Sequence, residues 1–184
     1  MELKITTKHF LQILHLLSWI IFIGLCIEAG GILFNAFFTL IINATAAKSF
    51  WQQMDLSNLL EFDKGYFMVT TLLMTVVAIL KAILFYLIVK LLHDKKLNLL
   101  QPFNNDLKHF VVNISYIAFG IALFSYFGSK HYHWFLEKGI SMPDNNSMGF
   151  SGADVWLFMG IILLVIAQIF KRGIEIQSEN ELTI

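Results

Sequence analysis

Residues 19–42 read WIIFIGLCIEAGGILFNAFFTLII, a run long enough to cross a bilayer with one charged side chain, Glu28, near its middle. A helix needs about 20 mainly apolar residues to span a hydrocarbon core of about 30 Å. In lipid such a run can satisfy its backbone polar groups only as a helix, so this stretch decides the class of the fold.

The rest of the chain agrees. Hydrophobic residues make up 57% and charged residues 14% of the 184, and the mean hydropathy is +0.69, a membrane composition. Three further runs, Tyr66 to Lys90, Phe110 to Gly128 and Ala153 to Phe170, are long enough or nearly so. The expectation is an all-α polytopic membrane protein with four transmembrane helices in an antiparallel bundle, forming one domain over 1–184. The apolar pattern begins before Trp19. Lys8, Gln12, His15 and Trp19 recur at helical spacing, which predicts an amphipathic lead-in over 7–18 at the membrane surface, with His15 interfacial rather than a ligand. Ala44-Thr45-Ala46 resembles a signal-peptidase site, but the preceding run is too long for a signal peptide and an uncleaved first span is expected.

Basic residues set the expected orientation. With both termini cytoplasmic, Lys4, Lys8, Lys90, Lys95, Lys96, Lys108, Lys171 and Arg172 lie inside, against Lys48, Lys64, Lys130 and Lys138 outside. Phe50, Trp51, Met54, Leu59, Leu60 and Phe62 then suit a short helix lying on the outer leaflet, and Ser151 with Asp154 gives a start signal for the fourth helix. Zero formal net charge with scattered basic residues gives no footprint for direct nucleic-acid binding. One cysteine, Cys26, excludes an intrachain disulfide and a cysteine-based metal site.

A charge inside a span is costly, by roughly 2.5–3.5 kcal/mol at the helix centre, and therefore faces the bundle interior with a partner. Lys81 is the only other deep charge, and it lies as far from Lys90 as Glu28 lies from Trp19, so the two are expected to form an interhelical ion pair. Gly24, Glu28, Gly31 and Asn35 recur at spacings of four, three and four, as a small-and-polar stripe for close approach of a helix. Thr71, Thr75, Ala78 and Ala82 make a matching stripe on the second span, and Asn113 and Gln168 are expected as further polar helix contacts. The pair is read first as structural, with a proton or ion path, run by a homo-oligomer, as the alternative. His131, His133, Glu137 and Asp144 invite a metal reading, but histidines two apart face different sides of a helix, and exposed or headgroup-facing histidines are preferred. No phosphate loop, zinc-protease motif or nucleophile elbow is present, so neither enzyme activity nor a cofactor is expected.

The segment QPFNNDLKHF, with Pro102 and Phe103, and the end ADVWLFMGIILLVIAQIFKRGIEIQSENELTI, with Lys171, Arg172, Gly173, Glu179, Asn180, Leu182 and Thr183, resemble an uncharacterised bacterial family, domain of unknown function 2975. The family has more arginine after the Pro-Phe pair, where this chain has only Lys108 and His109. The resemblance implies a four-span protein of the bacterial inner membrane with no catalytic residues to transfer. Its frequent association with a small helix-turn-helix DNA-binding protein implies a regulatory or interaction role. Pro102, Phe103, Lys171, Arg172, Glu175, Glu179, Asn180 and Glu181 would form the cytoplasmic contact surface. The alternative is a small proton-coupled transporter using Glu28 and Lys81.

Overall fold

The computed structural model describes residues 7–94 and 103–181, with the side chains of Thr7, Lys8, Asn180 and Glu181 outside the description. Its long elements are α1 (Thr7–Ile41), α3 (Lys64–His93), α4 (Asn105–Glu137) and α5 (Ala153–Glu181), with a short α2 (Ser57–Phe62) and two 3-10 segments, Ala44–Ser49 and Trp51–Gln53, between α1 and α3. The fold is all-helical, and the four long helices are each apolar and long enough to cross a membrane.

Local chemistry explains the breaks. Beyond α1, Asn43 accepts from the Thr45 N–H at 3.0 Å and turns the chain. Asp63 caps α3 by accepting from the Tyr66 N–H, and Asn104 caps α4 by accepting from the Leu107 N–H. Gly152, at φ +78°, accepts the first bond of α5 from the Trp156 N–H, so α5 starts one residue later than a cap at Ser151 would place it.

Three helices outrun their expected spans by a wide margin, among them α5, which stays helical to Glu181 where a tail was expected after Phe170. α1 is one continuous helix of about 52 Å that includes the lead-in, and α4 continues through HYHWFLE to Glu137. His15 of the lead-in accepts from Trp19 Nε1 and meets the His93 ring at 5.9 Å, so this segment packs on the end of α3 as well as facing the surface.

Among the described residues the long helices pack in chain order, α1 on α3, α3 on α4 and α4 on α5, an antiparallel row rather than a closed ring. The end holding the α1–α3 and α4–α5 connections is called here the loop end, and the opposite one the terminal end. The main core lies toward the loop end, where Phe50, Met54, Leu56 and Leu59 of one connection and Met148 and Phe150 of the other join Ile32, Phe67, Met74 and Ile121 from the helices. The first connection thus turns Phe50, Met54, Leu56 and Leu59 inward while Phe62 stays exposed, a correction to the surface-lying helix expected from composition. Its aromatic rings bury more area against α1 and α3 than a headgroup layer offers.

Candidate intramembrane site

Ring contacts set the register of α1 against α3: Phe22 meets Tyr86 at 5.9 Å, as His15 meets His93. Six residues on from Phe22 is Glu28, and six back from Tyr86 is Leu80, next to Lys81. Glu28 and Lys81 are therefore level, both half-buried, and the carboxylate lies near enough for its charge to act on the ammonium. They do not form the direct ion pair expected from the sequence. Among the described residues the salt bridge present is Arg172–Glu175, and Lys81 Nζ instead donates to the Gly149 carbonyl at 3.4 Å. That oxygen is available because Gly149 sits at φ +80° in a turn that enters the row from the loop end, and a half-buried ammonium needs a nearby acceptor.

Two aromatic wedges hold the connections against the helices around this level. The Trp51 ring lies on Gly31 and the Phe150 ring on Gly128, each occupying the space a Cβ would need. The stripe containing Gly31 thus receives a loop indole rather than a helix, and Gly24, at its far end, has no neighbour within 4 Å. Asn35 turns back on its own helix, its amide donating to the Gly31 carbonyl at 2.8 Å. Beside the Phe150 wedge, Asn145 donates to Ser129 Oγ at 3.2 Å, while Ser125 Oγ, Asn145 Oδ1 and Trp51 Nε1 are buried without a hydrogen-bond partner. The result is a set of polar groups within an apolar surround, held by two returning segments. It offers hydrogen bonds and one cation.

The other expected positions separate. Thr71 and Thr75 are buried and bond to their own helix, at the Phe67 and Thr71 carbonyls. Asn113 is exposed in a cleft at the terminal end, and Gln168 is exposed on α5 without a hydrogen bond, so neither bridges two helices. That role falls to Ser115, whose hydroxyl donates from α4 to the Gly160 carbonyl of α5 at 3.1 Å. A serine and a glycine within two spans were the available signal.

At the terminal end, Phe103 stacks edge-on to Phe170 at 5.7 Å and fills the space over Gly173, tying the start of α4 to the end of α5. Lys171 is exposed, Arg172 pairs with Glu175 at 3.0 Å, and Glu179 lies exposed one turn on. Pro102 and the side chains of Asn180 and Glu181 lie outside the described residues.

His131, expected to be exposed or to face headgroups, is half-buried on α4 against Phe135 at 4.7 Å and Tyr66 at 5.7 Å, with Nε2 unpartnered. His133, two residues on, is exposed on another side of the helix. Among the described residues no three His, Cys, Asp or Glu side chains converge to hold a metal.

No curated protein and no solved structure matches this chain. One family profile does, from Asn43 to Ile184, so that Lys81, Gly149 and both wedge rings fall within the match and Glu28 falls before it. By that match the chain belongs to the family described as Protein of unknown function (DUF2975).

Proposed function

We propose that this is a non-enzymatic membrane protein that docks a small helix-turn-helix DNA-binding regulator at its terminal end, which faces the cytoplasm of a bacterial cell. The observation that carries the reading is α5, which continues as helix past Lys171 and Arg172 to Glu181. A span of about 20 residues suffices for the membrane, so the last turns stand beyond the apolar run. They follow the contact of Phe103 with Phe170 and carry Glu175, paired with Arg172, and Glu179, and because carboxylates alone are the charged groups after Arg172 the helical stub suits a basic partner. The protein holds the regulator and does not itself contact DNA.

The test is a detergent pull-down of the tagged protein from its host, with and without residues 175–184, read by mass spectrometry. Tail-dependent recovery of a small DNA-binding protein is expected, and equal recovery from both forms removes the reading's support. A reporter fused to either terminus should be active only as a cytoplasmic fusion.

A second reading rests on Lys81, a half-buried cation level with Glu28 in the apolar zone. It makes the protein a proton-coupled carrier. A row of four helices encloses no path, so this reading needs a second copy to complete one. Glu28→Gln should then abolish flux in vesicles while the protein still folds.

A further inference from the structure

We propose that the cleft between the ends of α3 and α4 binds a phosphoethanolamine headgroup, its phosphate against Lys90 and His109 and its ammonium against Asp94. The cleft has a volume of about 170 Å³, equal to roughly five or six waters at about 30 Å³ each. Its lining runs from Asp94 and Asp106, at the ends of the two helices, to Leu87 and Asn113, about two turns along them. Leu87 to Asp94 covers about 10 Å along α3. A headgroup layer is about 5–8 Å deep on each side of the core, so the cleft crosses that layer and ends among acyl chains.

The charges choose the ligand. Lys90 and Asp94, the residue that ends α3, are one turn apart, a spacing that commonly gives an ion pair, yet they form no salt bridge, and both line the cleft. His109 faces them from α4, with Asp106 one turn before it on the same helix. An anionic headgroup would meet the Asp94 carboxylate along with the lysine. A choline group brings a cation with no N–H to donate, and the cleft has one phenyl ring, Phe110, beside the His109 imidazole, too few for a cage. Phosphoethanolamine supplies both a phosphate for Lys90 and three N–H donors for a carboxylate. The inference is independent of any partner at the α5 stub.

The experiment incubates the full chain in detergent with equal amounts of dioleoyl phosphatidylethanolamine, phosphatidylglycerol and phosphatidylcholine, and reads retained lipid by native mass spectrometry. The ethanolamine lipid should be retained roughly fivefold over either competitor, the size expected of exposed charge-assisted bonds. Lys90→Gln with Asp94→Asn should erase the preference, and Lys108→Gln, which lies outside the cleft, should keep it. Both lysines and Asp94 are at least partly exposed, so melting midpoints should change little. If the double variant does not fold, His109→Ala serves as the second probe and should weaken retention. Equal retention of the three lipids overturns the proposal, as does a preference that survives in the variants. Free phosphoethanolamine is the competitor that separates sources: failure to displace the lipid supports a membrane ligand, and displacement at equal concentration overturns it in favour of a soluble one.

Discussion

At the loop end, Phe50, Phe67, Phe135 and Phe150 are each at most 1% exposed, whereas at the terminal end the buried apolar side chains among the described residues are smaller ones such as Val89, Leu91, Val111 and Ala167, between neighbouring helices. The first region is packed like the interior of a water-soluble protein. The second is a set of helices that touch along narrow seams and otherwise face lipid. The difference follows from the driving force. Two apolar helices gain little by leaving lipid for each other, so their contacts depend on small residues and hydrogen bonds. The connecting segments have water as their alternative, and aromatic rings in water gain a full hydrophobic term by folding in against the helices.

This contrast can be broken most directly at Phe150. Phe150→Ala should cost about 3–5 kcal/mol in detergent unfolding, because it removes a fully buried ring and leaves Gly128 facing a void. Phe158→Ala, on the lipid face of α5 at 64% exposure, should change stability by less than about 0.5 kcal/mol. Similar losses for both would mean that the loop end is no better packed than the spans.

A smaller effect is expected where a ring lies on a glycine. Gly31→Leu should cost about 1–3 kcal/mol by forcing Trp51 out, with a shift in tryptophan emission as the second readout. Gly24→Leu, on the same helix with open space around it, should be near neutral.

The Glu28–Lys81 pair sharpens the comparison at the boundary between the regions. A double-mutant cycle with Glu28→Gln and Lys81→Gln should give a coupling of about 0.5 kcal/mol, at the bottom of the range for interacting groups, since the charges act on each other without a direct bond. A coupling several times larger would mean that the two meet and that Gly149 is not the acceptor for Lys81.

The smallest effect belongs to the exposed rim of the loop end. Asp55 accepts from the Ser57 hydroxyl at 2.6 Å and from the Ser57 N–H at 2.9 Å, and these bonds hold its carboxyl below the ordinary value of 3.8. The folded value is the lower one, so the stabilisation is present above the unfolded value and is lost as pH falls through the folded one. Asp55→Asn should cost less than about 0.5 kcal/mol at pH 7, after screening by solvent, and nothing once pH is below both values. A pH-independent cost would assign the effect to turn geometry.

Much of the fold was legible because lipid imposes a simple rule. Apolar runs of sufficient length must be helices, and the runs beginning near Tyr66 and Ala153 follow that rule closely. The same rule hid other features. His131, Trp134 and Glu137 look like loop residues by composition, yet α4 continues through them because Phe62, Tyr66 and Phe135 pack around its last turns. The level placement of Glu28 and Lys81 could be counted from helix rise, whereas the acceptor that Lys81 uses could not. Gly149 lies 68 residues away, in a connection whose path depends on where Phe150 finds Gly128.

The sequence by itself determined that four helices would cross a membrane, about where they would do so, and that one carboxylate and one ammonium would share a depth. Those properties depend on local hydropathy and on a rise of 1.5 Å per residue. Tertiary structure alone decided that the helices line up in a row, that Trp51 and Phe150 occupy the glycine faces, and that the charges meet a backbone carbonyl and a field rather than each other. Each of those outcomes is a competition among surfaces distant in the chain, won by the aromatic segments because only they gain from leaving water.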